Sequence, residues 1–217
     1  MTAINELLRL DSPTPAPAAI AFDGELLWVG STKTERLYGI APNDWTVREE
    51  FAMPGRPYGM TVTGDALSVI LGQGEDDDRT IYRVEPETGW SADGAIRCPD
   101  DGTGSHLSYD GERLYVSQWG LKRIVAIDDA GTPGSVIDLP FGICGQTIVD
   151  GRFYCILPDD GEGEDYFLAR IDARGATPVI DVLAEIHFAT RGIAFDGERF
   201  WTNDRDANQI VAFSKPD

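Results

Sequence analysis

The chain has 217 residues, with 37 acidic side chains against 18 lysines and arginines and a formal net charge of −19. That balance excludes the basic face which nucleic acid or an anionic membrane surface would require. Apolar residues at 42% and charged residues at 25% suit a folded domain, and the length fits one.

The opening segment, MTAINELLRLDSPTPAP, lacks the basic start and long apolar core of a secretory signal. No later run approaches the ~20 apolar residues of a membrane span. A cytoplasmic protein is expected, and its three cysteines, Cys98, Cys144 and Cys155, read as reduced thiols without metal-ligand spacing. A first strand is expected at Ala3–Leu10.

Then a phrase begins that returns five times: an apolar run, an Asp-Gly-type turn, and a second run carrying an aromatic. It reads IAFDGELLWV from Ile20, MTVTGDALSV from Met60, LSYDGERLYV from Leu107, TIVDGRFYCI from Thr147 and IAFDGERFWT from Ile193. The turn glycines, Gly24, Gly64, Gly111, Gly151 and Gly197, are spaced by 40, 47, 40 and 46 residues. Strand-built repeats of ~40–50 residues predict a β-propeller with one four-stranded sheet per repeat.

In the first repeat the strands fall at about Ala19–Phe22 (A), Leu26–Gly30 (B), Arg36–Ile40 (C) and Thr46–Phe51 (D). The C strands share a second signature: RLYGI from Arg36, TIYRV from Thr80, RIVAI from Arg123, FLARI from Phe167 and QIVAF from Gln209. PVIDVLAEI from Pro178 stands in the phase of a D strand. The fifth copy ends at Lys215-Pro216-Asp217 with no D strand, and Ala3–Leu10 has the phase of the missing one. The prediction is therefore an all-β, five-bladed β-propeller of four-stranded antiparallel blades, a single domain over 1–217. Its N-terminal strand completes the last blade and closes the ring, which removes an open sheet edge.

Aligned on the turns, Ile20, Met60, Leu107, Thr147 and Ile193 form a column that should pack blade on blade. The aromatic column Trp28, Tyr115, Tyr154 and Trp201, interrupted by Ser68, reads as interblade packing rather than a base-stacking platform. Two acidic loops, GEDDDR ending at Arg79 and PDDGEGEDY from Pro158, read as solvated tips without the ligand order of a calcium loop.

In this topology the D–A and B–C connections share the face around the channel mouth. The D–A connections bring Tyr58, His106, Gln146, His187 and Arg191 there. The B–C connections bring Gln118, Trp119, Asp204 and Arg205. The residue opening strand A is Ala19, Gly59, His106, Gln146 and Gly192 in turn, so two blades place a large polar group where three keep a tiny one. Such groups cost desolvation unless something bonds them: a ligand at the mouth, or an internal hydrogen bond or channel water. Under the first reading His106 is a candidate acid, base or metal ligand. Asn203 and Asp204 are hard oxygen donors that could hold Ca²⁺ or Mg²⁺. They equally suit a turn-capping pair.

The phrases IAFDGELLWVGS from Ile20 and LSYDGERLYVSQWGLKRIVAID from Leu107 resemble the superfamily of bacterial propellers containing streptogramin lyases, gluconolactonase-like hydrolases and NHL repeats. PYGMTVTGDAL and RGIAFDGERFW are similar, more weakly, to the later repeats of glutamine cyclotransferases. The resemblance implies the fold. The chain departs from the cyclotransferases at PAAI and LWVGS, where Val29 and Gly30 replace that family's acid. Two separated histidines also do not reproduce the lyases' paired His/Glu/His set.

Two functions are consistent with these residues. One is a small-molecule hydrolase, lyase or transferase. His106 would do acid–base work, Asp204 would be base or metal ligand, Tyr58, Gln118 and Gln146 would orient the substrate, and Arg191 or Arg205 would hold an anionic group. The other is a non-catalytic scaffold that binds a peptide or protein partner through a flat, filled mouth. There His106 and Gln146 would satisfy each other and Trp119 would be the anchor. A monomer is expected in either case.

Overall fold

The computed structural model describes residues 1–85, 88–159 and 165–216. Its strands form five four-stranded antiparallel sheets. β1 (Glu6–Asp11) stands before the first blade. Blade one is β2 (Pro17–Phe22), β3 (Leu27–Ser31), β4 (Arg36–Ala41) and β5 (Thr46–Ala52). Blade two is β6 (Arg56–Thr63), β7 (Ala66–Gln73), β8 (Asp78–Glu85) and β9 (Gly89–Arg97), followed by one helical turn, α1 (Pro99–Gly102). Blade three is β10 (His106–Tyr109), β11 (Leu114–Gln118), β12 (Arg123–Ile127) and β13 (Pro133–Asp138). Blade four is β14 (Gly145–Val149), β15 (Arg152–Pro158), β16 (Tyr166–Asp172) and β17 (Val179–Ile186). Blade five is β18 (Ile193–Phe195), β19 (Arg199–Asp204) and β20 (Gln209–Ser214), with β1 as its outer strand. No described helix is long and apolar enough to cross a membrane.

The recurring Asp does more than permit a turn. In blade one Asp23 Oδ1 accepts the backbone N–H groups of Glu25 and Leu26 at 2.8 and 2.7 Å, and its Oδ2 accepts Trp28 Nε1 at 2.6 Å. Asp110 binds Glu112, Arg113 and the Tyr115 hydroxyl in the same way, and Asp196 binds Glu198, Arg199 and Trp201 Nε1. One carboxylate thus closes a four-residue loop and pins the aromatic that packs between blades. Blade two keeps a neutral version, with the Thr63 and Ser68 hydroxyls 2.9 Å apart.

Blade four differs from the sequence expectation. Val149 pairs directly with Arg152, so Asp150-Gly151 is a two-residue turn with φ of 53° and 70°, as a tight hairpin demands. The Asp-Gly pair has slipped one position within the hairpin. Strand A aligned on Gly151 is therefore one residue out. Gly145, which pairs with Ile156, takes the opening position, while Gln146 pairs with Cys155 as Leu107 pairs with Val116.

The core is divided into slabs, one at each blade–blade interface. Ile20, Leu27 and Val29 of blade one meet Trp201, Ile210 and Ala212 of blade five. Ile70 and Ile81 meet Leu107 and Val116 between blades two and three, and Tyr154 and Ile156 meet Phe200 and Phe213 between four and five. Cys155 lies in such a slab with Ile124 and Ile171, where burial holds its thiol protonated. Each fully buried aliphatic side chain contributes roughly 1.5–3 kcal/mol. Near the axis the sheets come closer still: a Cβ on Gly59 would lie 2.5 Å from the Cα of His106.

Closure is more extensive than one strand. β1 pairs antiparallel with β20 from Glu6↔Phe213 to Asp11↔Gln209. Ile4 N donates to Glu185 O at 2.9 Å and Glu185 N to Thr2 O at 3.0 Å, which bridges onto blade four. On the other side Trp45 of blade one stacks on Trp201 at 6.0 Å and donates Nε1 to Asp11 O at 2.8 Å.

Candidate functional site

The D–A and B–C loops enclose a cavity of about 500 Å³ on the channel-mouth face. Blade two supplies Tyr58 and Asp76–Arg79, blade three Ser105 and Trp119, blade four Cys144, and blade five Arg191.

The blade-two wall is braced by charge. The Arg79 guanidinium lies 3.3 Å from the centroid of the Tyr58 ring. Asp77 Oδ1 accepts Arg56 Nη2 at 2.7 Å and the Tyr58 hydroxyl at 3.3 Å, and Asp77 Oδ2 accepts Arg79 Nη2. Burial pushes the Tyr58 hydroxyl above its usual pKa. A Cβ on Gly72 would fall 2.1 Å from Asp77 Oδ1, so only glycine leaves room for this arrangement. The GEDDDR loop is thus not merely a solvated tip. Asp77 and Arg79 side chains are 28% and 19% exposed, and both are ordered by the wall they form. The acidic stretch 160–164 of the other loop lies outside the described residues.

Trp119 is 55% exposed and covers Gly142, where a Cβ would meet the indole at 2.5 Å. Its neighbour Gln118 is fully buried and occupied. Oε1 accepts Arg123 Nε at 2.7 Å, while Nε2 shares its hydrogens among Pro99 O, Thr103 O and Thr103 Oγ1 at 3.0–3.1 Å. Gln118 therefore holds the loop around α1 beneath the cavity.

His106 is buried just beneath Ser105. Its Nδ1 lies 3.0 Å from Leu107 O, and since a carbonyl only accepts, Nδ1 carries the hydrogen and Nε2 the lone pair. Burial pushes the imidazole pKa down to about 4, although the carbonyls of Leu107 and Gln146 favour the charged form. Gln146 donates Nε2 to Tyr115 O of the neighbouring blade at 2.9 Å. His106 Nε2 and Gln146 Oε1 are both buried without a hydrogen-bond partner among the described residues. The two side chains do not satisfy each other, and both orphaned atoms are acceptors.

Asn203 and Asp204 are engaged in holding blades together. Asn203 Nδ2 donates to Ala18 O of blade one at 2.9 Å, and its Oδ1 accepts Arg191 N at 3.1 Å. Asp204 Oδ2 accepts Arg9 Nη1 of β1 at 2.7 Å, and its Oδ1 accepts Ala207 N at 3.0 Å. His187 is exposed, 3.0 Å from Asp165 Oδ1, and that contact raises its pKa. Among the described residues no three His, Cys, Asp or Glu side chains gather as a metal site would need.

Arg191 and Arg205 are brought together by blade five. Arg205 N donates to Ala189 O at 2.8 Å and Arg191 N to Asn203 Oδ1, so the two loops run side by side. Burial lowers the Arg205 pKa and the neighbouring Arg191 charge adds to that. Both cations act on Cys144, whose thiol burial nevertheless pushes up to about 11. Of the cavity wall, the sequence pointed to Tyr58, Trp119 and Arg191 through their position on mouth loops. It missed Asp77 and Arg79, whose only signal was an arginine closing an acidic run.

No family model matches the chain, and no curated protein matches it in sequence. Solved structures do. Glutaminyl cyclase of Myxococcus xanthus superposes with a TM-score of 0.73 at 12% identity, over 97% of this chain and 95% of that one. The PQQ-bound form of aldose sugar dehydrogenase from Streptomyces coelicolor gives 0.66 at 12%, over 98% of each chain. Virginiamycin B lyase from Staphylococcus aureus gives 0.55 at 13%, over 96% and 98%. These likenesses establish the propeller fold.

Proposed function

We propose that this propeller binds a small molecule in the channel-mouth cavity, with the Trp119 indole as one wall and charged side chains fixing the guest. The observation that carries this is the cavity itself. A partner-binding scaffold was expected to have a flat, filled mouth, whereas loops of four blades surround about 500 Å³, within the range of small-ligand pockets.

Catalysis would need an acid or base within reach of the guest. His106 is the one strongly perturbed imidazole, but it lies under the cavity, and a pKa of about 4 makes it a weak base at neutral pH. Binding is therefore the primary role, and any hydrolase, lyase or transferase chemistry would act on a guest already held by the loops. The likeness to propeller enzymes supports the fold, not a reaction.

The test is tryptophan fluorescence during titration with a panel of sugars, amides, amines and carboxylates. Trp119 is the most exposed indole, so a bound guest should change its emission, and the change should vanish in Trp119→Phe. A panel in which nothing shifts the signal or the unfolding midpoint would remove the small-molecule reading and leave partner binding through the exposed Trp119 and Leu121.

A further inference from the structure

Twelve of the fifteen arginines form an ion pair with a described carboxylate. The three that do not are Arg113, Arg191 and Arg205. Arg113 is an exposed residue of an A–B turn, on the face away from the mouth. The other two stand together on adjoining loops of blade five, one of them in the cavity wall. Carboxylates outnumber cations two to one in this chain, so two neighbouring guanidiniums without one among the described residues are a marked departure. Arg205 Nε is moreover buried with no hydrogen-bond partner among the described residues.

We propose that Arg191 and Arg205 form an oxyanion site that grips the carboxylate or phosphate group of the guest. This rests on the small-molecule reading above and names the class of molecule. Two like charges on adjoining loops, Arg205 half-buried and Arg191 exposed, repel each other, and an anion between them reverses the sign of that energy. A guanidinium presents paired N–H donors that match a carboxylate or phosphate in two parallel bonds, and Arg205 keeps Nε without a partner among the described residues. The opposite wall cannot serve: Asp77 already holds Arg56 and Arg79. Trp119 then lies against the body of the guest, so the favoured ligand is a flat or apolar group ending in one oxyanion.

The experiment compares benzoate, inorganic phosphate and neutral benzamide by calorimetric titration into the full chain. Benzoate or phosphate should bind at least about tenfold more tightly than benzamide, since guanidinium bonds to a charged oxygen are stronger than those to a neutral one. Which of the two saturates identifies the oxyanion. Arg191→Gln and Arg205→Gln should each weaken that binding about tenfold or more, Arg191→Lys less, and Arg113→Gln not at all. Equal affinity for benzoate and benzamide, or anion binding indifferent to both substitutions, would overturn the oxyanion site while leaving the cavity reading standing. Anion binding that appears only after Asp160, Glu162 and Glu164 are exchanged for Asn, Gln and Gln would also overturn it. The pair would then be held by the chain's own carboxylates. Failure of every probe, charged or neutral, would instead be a failure of the cavity reading itself.

Discussion

His106 shows how a single buried side chain can be read as stability. Its unfolded pKa is near 6.5 and burial lowers the folded value to about 4, so the native state resists protonation. Such a group contributes stability above the unfolded pKa, and that contribution is lost as pH falls from about 6.5 toward 4. The loss should amount to roughly 3 kcal/mol, at 1.36 kcal/mol per pH unit. His106→Gln keeps a polar side chain of similar reach and should flatten that slope. Urea unfolding at pH 7, 6, 5 and 4.5 would show it as a shrinking difference between the two proteins. Exposed His187 has its pKa raised by Asp165 and slopes the opposite way, but it is common to both and cancels. An identical pH profile for both proteins would mean that His106 is not buried neutral. The sequence marked His106 because it broke a column of tiny residues. It could not show that Gln146 belongs to the next column, because the slip of Asp150-Gly151 is visible only in strand pairing.

At the level of the hairpin, the same two letters do different work. Asp196 accepts two backbone N–H groups, Arg199 and the Trp201 indole, whereas Asp150 accepts only Lys215 at 2.9 Å on an exposed surface. Asp196→Ala should cost about 1–3 kcal/mol by stranding buried donors. Asp150→Asn, which tolerates the positive φ, should stay within about 0.5 kcal/mol. Denaturant midpoints of the two variants measure the contrast, and equal losses would refute it. The carboxylate of Asp196 also titrates below its usual range. Burial raises it, but Arg199 and the indole outweigh that. Its contribution is therefore present above pH ~4 and lost on acidification below that value. The repeat was legible because in three blades this turn chemistry pairs Asp at one position with an aromatic five residues later, a constraint local enough to be read along the chain.

Across the whole molecule, the contacts that close the ring were the least legible part. The phase of Ala3–Leu10 announced the missing strand, yet nothing in the sequence joins Arg9 to Asp204, 195 residues away. That distance is why an acidic residue at the end of β19 looked like a candidate base or metal ligand. Arg9→Ala should lower stability by about 1–3 kcal/mol, since it leaves the buried Asp204 carboxylate without its cation, and Asp204→Ala should cost less because Arg9 keeps Glu6 at 2.7 Å. In a double-mutant cycle the losses should be strongly non-additive. Additive losses would show that the pair does not act as a unit, and a midpoint raised by Ca²⁺ or Mg²⁺ only in wild type would restore the metal role.

The clasp also sets an order of events during synthesis. β1 leaves the ribosome first but its partner β20 leaves last, so the earliest strand made is the last to find its place. Until then four blades must hold an unclosed arc, with the blade-one face that meets blade five uncovered and a largely exposed strand trailing in solution. A β1 of six residues sets Glu6, Arg9 and Asp11 among Leu7, Leu8 and Leu10, and those charges disfavour pairing with a wrong edge while it waits. The charges along this strand thus serve the nascent chain as much as the finished ring.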